Sequence, residues 1–201
     1  MRFIETELAG AFVVELERRQ DDRGFFARSF CRDEFEAHGL RPLVAQSNLS
    51  FTAKSGTVRG MHFQFPPSTE SKLVRCVRGA VWDIIVDLRP ESPTYLSHVA
   101  IELDEESLRA IYVPERFAHG HQTLRDDSLL SYQMGAPYTP NNEGGLRYDD
   151  PALGLTWPLP VTEISEKDLS FPSYSSIEQS LRDRMANLDT DAVDEAGKHG
   201  Q

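Results

Sequence analysis

The stretch Ala80-Val81-Trp82-Asp83-Ile84-Ile85-Val86-Asp87-Leu88 has the length and composition of a buried β-strand. It is rich in β-branched and aromatic residues, which are enriched in strands. Similar short apolar runs, separated by turn residues, occupy residues 11–16, 72–77, 97–103, 110–113 and 128–134. No helical pattern of roughly 10 to 15 residues separates the runs between Lys72 and Met134, as parallel βαβ units would require. The spacing therefore predicts an all-β domain, either an antiparallel sandwich or a barrel.

Turn and helix signals stand between these runs. Arg78-Gly79 predicts a hairpin turn between the strands on either side of it, and residues 90–93, Pro-Glu-Ser-Pro, predict a second turn. Residues 33–39 predict a short helix, with Asp33 as its N-cap and Gly39 as its end. The sheet is thus expected to carry only a few short helices.

The composition changes after about residue 173. Residues 174–201 are polar and acidic, with few large apolar side chains. We expect one domain over residues 1–173 and a tail over residues 174–201. Within the tail, the spacing of Ile177, Leu181, Met185 and Leu188 predicts one amphipathic helix, and disorder is expected beyond it.

Charge and hydropathy exclude several classes of protein. The formal net charge of -11 argues against non-specific binding to nucleic acid, which requires a basic surface. No apolar stretch approaches the roughly 20 residues of a membrane span. The N-terminal residues lack the apolar core of a signal peptide, so a cytoplasmic location is expected. The sequence has two cysteines, Cys31 and Cys76, and so small a number does not indicate a disulfide framework.

Two histidine-containing segments are candidates for chemistry. In residues 56–64, Gly60, His62 and Gln64 occupy alternate positions, so a strand would place them on one face. His119 lies in the second segment, residues 113–121. Polar groups that face the interior of a barrel form a ligand cavity. Taken alone, each histidine is more often structural than functional, and it is the two segments together that indicate a site.

A metal centre is the first alternative for these histidines. Metal sites of cupin-type barrels usually begin with a His-x-His pair, but Gln64 stands where the second imidazole would be. An amide is a poor ligand for zinc or iron. Glu70 and His119 remain at suggestive positions, and His119 and His121 form a His-x-His of their own. The pattern favours chemistry without a metal, and a metal-dependent enzyme stays open.

Several ordered motifs together resemble the dTDP-4-dehydrorhamnose 3,5-epimerase family over roughly residues 3–171. They include Arg23-Gly24-Phe25-Phe26, and they occupy residues 22–26, 46–50, 56–64, 72–75, 79–83, 86–89, 114–120, 132, 138, 143–145, 149–151 and 165–168. The resemblance implies a cupin-type jelly-roll barrel of antiparallel strands. It also implies a homodimer whose N-terminal strands reach across to the partner.

The resemblance further implies the activity. The family inverts C3, C5 or both in a nucleoside diphosphate 4-keto-6-deoxyhexose, through an enolate and without a cofactor or metal. The expected reaction converts dTDP-4-dehydro-6-deoxyglucose to dTDP-4-dehydrorhamnose, although another deoxysugar pathway is compatible. Neither a dinucleotide-binding fingerprint nor a phosphate-binding Walker loop occurs in the sequence. A metal-dependent cupin enzyme and a non-catalytic sugar-nucleotide binding module are the alternatives.

The resemblance assigns residue roles. His62 matches the base, Asp168 the carboxylate that orients it, Lys72 the cation near the ketone oxygen, and Tyr132 the acid on the opposite face. The positions that match substrate-binding residues are Arg23, Arg59 and His119 for the diphosphate and sugar, Gln46 and Asn48 for the base, Tyr138 for stacking on the pyrimidine, and Glu143 and Lys167 as further contacts.

One position departs from the family pattern. Arg28 stands where a substrate-contacting glutamate is common, two residues after the second phenylalanine of the Arg23-Gly24-Phe25-Phe26 motif. The change reverses the charge at a position that would lie next to the ligand. It leaves the predicted catalytic residues unaltered and leaves the exact sugar and nucleotide open.

Overall fold

A computed structural model describes residues 1–186 and is built mainly of antiparallel strands. The strands are β1 (Arg2–Glu5), β2 (Phe12–Glu15), β3 (Arg19–Asp21), β4 (Gly24–Phe26), β5 (Gln46–Thr52), β6 (Val58–Gln64), β7 (Lys72–Arg78), β8 (Ala80–Asp87), β9 (His98–Asp104), β10 (Ala110–Val113), β11 (Phe117–Thr123), β12 (Ser128–Met134) and β13 (Glu143–Gly145). The helices are α1 (Arg32–Ala37), α2 (Glu166–Leu169) and α3 (Tyr174–Met185), with a short 3-10 helix over Pro140–Asn142.

The strands form two facing sheets and a separate hairpin. One sheet has the order β1-β2-β10-β7-β12-β5, the other has the order β13-β6-β11-β8-β9, and β3 pairs only with β4. Every pairing between these strands is antiparallel. Double-sheet packing of this kind is the jelly-roll architecture, and the predicted all-β fold is confirmed.

Strand β8 is buried on both faces, which explains its nearly continuous apolar sequence. Val81 and Ile85 point into the core between the two sheets. Ile84 and Val86 belong to a second cluster, on the other face of the five-stranded sheet. Side chains alternate across a strand, so this one run of residues contributes side chains to two separate cores.

Helix α3 covers this second cluster. Its buried side chains Tyr174, Leu181 and Met185 pack with the strand residues there, and Ile177 packs against the same cluster from a partly buried position. The division of the chain at residue 173 stays a prediction. Leu188 and the segment expected to be disordered lie outside the described residues.

The prediction of a hairpin at Arg78-Gly79 was wrong. β7 belongs to the six-stranded sheet and β8 to the five-stranded sheet, so the turn carries the chain from one sheet to the other. Gly79 adopts a φ of 76° at this corner, where a side chain would collide with Ser128. The turn predicted at residues 90–93 is confirmed, because it joins the antiparallel pair β8 and β9.

Helix α1 was predicted correctly, but its N-cap was not. Cys31 is the N-cap residue, in an extended conformation, and Asp33 lies inside the first turn. An acidic side chain is favourable there because it faces the positive end of the helix dipole. Gly39 follows the helix with a φ of 69°, and its N–H donates to the Glu36 carbonyl oxygen at 2.9 Å, as expected for the end of a helix.

Candidate active site

The centre of the site is a contact between His62 and Asp168. His62 lies in the middle of β6, and Asp168 lies on α2, whose N-cap Ser165 accepts a hydrogen bond from the Asp168 N–H at 3.0 Å. One Asp168 oxygen lies 2.8 Å from His62 Nε2, and the other accepts from the Gly60 N–H at 3.1 Å. The carboxyl group is thus held by one hydrogen bond at each oxygen, while Ser165 holds the backbone of the same residue.

These contacts set the charge of Asp168 and the tautomer of His62. Burial alone would raise the pKa of Asp168, but the hydrogen bond from His62 and the N–H of Gly60 bring that pKa below its usual value. An ionised carboxylate only accepts hydrogen bonds, so Nε2 of His62 carries a proton. The free lone pair of a neutral His62 is therefore on Nδ1. That nitrogen is the one able to accept a proton from a ligand.

Glycine at position 60 allows β6 to approach β11 closely. Gly60 has a φ of 126°, and a Cβ there would lie 2.5 Å from the Gly120 Cα and 2.9 Å from the His119 carbonyl oxygen. A larger residue would push the strands apart. The same backbone geometry presents the Gly60 N–H to Asp168.

His62 faces a cavity of about 290 Å³ between the two sheets. Its wall on the five-stranded sheet includes Arg59 and His62 from β6 and His119 and His121 from β11. The opposite wall, on the six-stranded sheet, is formed by Asn48, Leu49 and Ser50 from β5, Lys72 from β7, and Tyr132 and Met134 from β12. The predicted base and the predicted acid therefore lie on opposite walls of one cavity.

Tyr132 lies against the histidines of β11. Its ring packs edge-on against the His119 ring, with 5.9 Å between centroids, and its hydroxyl lies 3.4 Å from His121 Nδ1. Burial raises the pKa of Tyr132 above its usual value. The phenol is therefore protonated at neutral pH, as a proton donor must be.

Lys72 is held in the same wall by a buried ion pair. Its Nζ lies 3.1 Å from a carboxylate oxygen of Glu70, and both side chains are 7% exposed. Gln64 donates to the other oxygen of Glu70 and accepts from the Thr139 N–H at 2.6 Å. The amide at position 64 thus anchors the carboxylate that positions the lysine.

The positions considered for a metal have other partners. Gln64 bonds to Glu70, and His119 Nε2 lies 2.8 Å from an Asp83 oxygen with both side chains buried. Within residues 1–186, no group of three or more His, Cys, Asp or Glu side chains converges as a metal site.

A larger cavity adjoins the first and also reaches His62. It has a volume of about 930 Å³, and Arg59 and His62 line both cavities. Asp168 and Lys167 line this second space, in which Lys167 supplies a positive charge. Together the two cavities offer room for a ligand longer than a single sugar.

A short chain of hydrogen bonds runs through the remaining predicted contacts. Lys167 lies 2.6 Å from one Glu143 oxygen, and the Tyr138 hydroxyl donates to the other at 2.9 Å. The Tyr138 N–H donates to the Gln46 side-chain oxygen at 2.8 Å. Burial would raise the pKa of Glu143, but the bonds from Lys167 and Tyr138 lower that pKa below its usual value. The structure thus brings Gln46, Tyr138, Glu143 and Lys167 together.

Arg23 and Arg28 lie elsewhere in the chain. Arg23, at the turn between β3 and β4, is 89% exposed and pairs with Asp21 at 2.6 Å. Arg28 pairs with Glu34 at 2.9 Å. Neither side chain lines the two cavities that contain His62. Within one chain, the structure does not bring these arginines to the site.

Asp83 and His121 are site residues that sequence reasoning did not assign. Asp83 is the buried partner of His119, and His121 lines the smaller cavity beside Tyr132. The alternation of His119 and His121 on one strand was a usable signal, because residues two apart share a face. The pairing of Asp83 with β11 depends on sheet topology, and no local sequence pattern indicates it.

Comparisons with known proteins agree on one family. A sequence model described as dTDP-4-dehydrorhamnose 3,5-epimerase matches residues 5–176. The chain is 40% identical over 183 residues to the dTDP-4-dehydrorhamnose 3,5-epimerase of Sinorhizobium fredii, covering 90% of this chain and 94% of that protein. It is 41% identical over 169 residues to the dTDP-4-dehydrorhamnose 3-epimerase of Streptomyces niveus, covering 84% and 81% of the two chains.

A solved structure is similar over nearly the same length. The crystal structure of dTDP-6-deoxy-D-glucose-3,5-epimerase from Legionella pneumophila, in complex with dTDP-4-keto-L-rhamnose, superposes with a TM-score of 0.83 at 33% identity. The match covers 90% of this chain and 96% of that one. On the family match, the sequence identities and the shared fold, this chain belongs to the dTDP-4-dehydrorhamnose 3,5-epimerase family.

Proposed function

We propose that the protein epimerises C3, C5 or both of a dTDP-linked 4-keto-6-deoxyhexose. The product expected from dTDP-4-dehydro-6-deoxyglucose is dTDP-4-dehydrorhamnose. The observation that carries the proposal is the placement of His62 and Tyr132 on opposite walls of one cavity. Inversion of a carbon requires a proton to leave from one face and another to arrive at the opposite face.

In the proposed first step, Nδ1 of His62 removes the proton from a carbon next to the ketone. Asp168 holds the ring by Nε2 and stabilises the imidazolium that forms. The electron pair of the broken C–H bond moves into the ketone and gives an enolate. A gap of about ten pKa units between the carbon acid and the base would cost about 14 kcal/mol, so the enolate needs strong stabilisation.

Lys72 supplies that stabilisation. Its ammonium group lines the cavity and is held by Glu70, so little reorganisation is needed when charge develops on the ketone oxygen. Tyr132 then gives its proton to the opposite face of the carbon, and the enolate collapses to the inverted ketone. Solvent restores the proton of Tyr132 and removes the proton of His62.

The remaining predicted contacts would hold the nucleotide. Arg59 lines both cavities and His119 lines the smaller one. Both side chains suit charge-assisted hydrogen bonds to the diphosphate and sugar. The amides of Gln46 and Asn48 suit the base, which offers both donors and acceptors. The half-exposed Tyr138 can stack on a pyrimidine, with Glu143 and Lys167 beside it.

Arg23 and Arg28 would act through a homodimer. The hairpin β3–β4 pairs with no other strand within residues 1–186, and it exposes Phe25 and Phe26, the latter by 72%. Exposed aromatic side chains at an unpaired hairpin favour a partner surface. We therefore propose that the N-terminal strands cross to a second copy and bring both arginines to its cavity. A cytoplasmic location stays a prediction.

Proton exchange with solvent tests the reaction. The protein is incubated in heavy water with dTDP-4-keto-6-deoxyglucose, and NMR locates the deuterium in the sugar. Label at C3, C5 or both, with inversion at the labelled carbon, is the expected result and also shows which carbon reacts. Absence of label at both carbons would contradict the proposal for this substrate.

A further inference from the structure

His121 is the buried neighbour of the predicted acid. It lies on β11, is 2% exposed, and places Nδ1 at 3.4 Å from the Tyr132 hydroxyl. Its other nitrogen, Nε2, is buried and has no hydrogen-bond partner among the described residues. A tyrosine hydroxyl can donate or accept a hydrogen bond, so the tautomer of His121 is decided by the surroundings of Nε2.

The environment keeps His121 neutral. Burial lowers the pKa of His121 well below its usual value, and His119, Arg59 and His62 lower it further. A neutral imidazole carries one N–H. On Nε2 this donor would be buried without an acceptor, which is unfavourable. On Nδ1 it meets the Tyr132 oxygen, so the Nδ1–H tautomer is favoured.

This tautomer determines where the Tyr132 proton points. If the phenol oxygen accepts from His121, its own O–H is free for another acceptor, and the space beside it is the cavity that also contains His62. When the O–H bond breaks and a C–H bond forms on the ligand, a phenolate remains. Burial makes that anion costly, and the N–H of His121 already points at the oxygen on which its charge develops.

We propose that His121 is a positioning residue for Tyr132, which turns the phenol proton toward the ligand and stabilises the phenolate left after transfer. The assignment rests on the proposed function. His121 itself neither gains nor loses a proton in the step. Only Tyr132 gives a proton, which ends on the ligand carbon, and solvent replaces it before the next cycle.

Variants at position 121 separate this role from simple packing. His121→Phe keeps a ring and removes the donor. His121→Asn keeps an N–H close to the Nδ1 position, whereas His121→Gln places its N–H near the Nε2 position. Each is incubated with dTDP-4-keto-6-deoxyglucose in heavy water, and two rates are measured by NMR. One is deuterium entry into the sugar, which needs only that His62 remove the proton, exchange it with solvent and return deuterium to the same face. The other is formation of inverted product, which also needs the proton of Tyr132.

We expect His121→Phe to form inverted product roughly 10- to 100-fold more slowly than wild type, the effect of one hydrogen bond to a charged group. Deuterium entry in His121→Phe should stay within about threefold of the wild-type rate, because the step at His62 is unaltered. In His121→Asn the ratio of the rate of inversion to the rate of deuterium entry should return close to the wild-type value. An unchanged ratio in His121→Phe, or no recovery in His121→Asn, would overturn the assignment.

Two further outcomes are decisive. If His121→Phe fails to fold, the Asn and Gln variants are compared directly. The ratio of inversion to deuterium entry should stay near the wild-type value only in His121→Asn, and equal ratios in the two variants would overturn the proposal. A wild-type protein that neither exchanges nor epimerises would overturn the proposed function, and the role of His121 with it. If the wild-type protein epimerises the substrate but the ratio of inversion to deuterium entry is unchanged in the variants, only the role of His121 is overturned.

Discussion

Asp168 holds His62 across 106 residues of sequence, with 2.8 Å between the carboxylate oxygen and Nε2. The carboxylate is 3% exposed, and the imidazole is 34% exposed. One member of the pair is thus anchored in the protein, while the other faces the ligand cavity. The arrangement fixes both the ring orientation and the nitrogen that is free to act as a base.

Replacing Asp168 by asparagine should impair turnover more than ligand binding. The substitution would keep the size of the side chain but remove the negative charge that stabilises the imidazolium and selects the tautomer. We expect kcat to fall by roughly 100-fold or more, with a much smaller change in KM. Steady-state kinetics measure both. Asp149→Asn is the matched control, because Asp149 forms an exposed pair with Arg147 outside both cavities; equal losses in the two variants would contradict the assignment.

The same carboxylate predicts a dependence of stability on pH. The folded-state pKa of Asp168 is below its usual value, which is about 3.9 in an unfolded chain. Its contribution to the free energy of unfolding is therefore complete above about pH 5 and is lost as pH falls through the folded-state pKa. Between about pH 6 and pH 3, wild type should lose more stability than Asp168→Asn in urea titrations. Parallel losses in the two proteins would show that this carboxylate is not stabilised by folding.

The buried pair of Lys72 and Glu70 should be sensitive to loss of one partner. Glu70→Gln leaves the ammonium of Lys72 buried without its counter-ion, and we expect the free energy of unfolding to fall by about 3 kcal/mol. The exposed pair of Lys54 and Glu163 provides the control. Glu163→Gln should change stability by less than about 1 kcal/mol. Denaturant unfolding measures both variants, and comparable losses would contradict the burial argument.

Gly60 should tolerate no side chain. Gly60→Ala combines an unfavourable φ of 126° with a collision against the backbone of Gly120. We expect a loss of about 2 to 5 kcal/mol in the free energy of unfolding. Gly39→Ala is the control, because Gly39 also has a positive φ, of 69°, but nothing lies within 4 Å of the position that its Cβ would take. It should cost only about 1 to 2 kcal/mol. A Gly60→Ala variant as stable as Gly39→Ala would show that β6 and β11 can separate freely.

The strands could be predicted from sequence, but their partners could not. The run at residues 80–88 predicted β8 because burial on both faces leaves a continuous apolar pattern. Periodicity contains no information on which strand lies next to which. Arg78-Gly79 therefore indicated a hairpin, although the corner leads from one sheet to the other. The distinction depends on the closing of two sheets over one core, which no local segment specifies.

The site residues that could be predicted from sequence are those that match family motifs. Residues His62, Lys72 and Tyr132 match such motifs and line one cavity. The sequence position of Glu70 is compatible with a metal ligand, and its ion pair with Lys72 could not be predicted because a buried ion pair has no signature in sequence spacing. The sequence shows His121 only as part of a His-x-His, since its contact with Tyr132 joins strands from opposite sheets.

Deuterium entry into dTDP-4-keto-6-deoxyglucose, compared between wild type and His62→Ala, tests the central claim most directly. The account predicts that the variant incorporates deuterium at C3 and C5 at least about 100-fold more slowly, since a general base of this kind contributes roughly that much or more. Binding of thymidine diphosphate, measured by calorimetry on the same samples, should persist because His62 acts on the sugar carbon. Deuterium entry at the wild-type rate in His62→Ala would contradict the account.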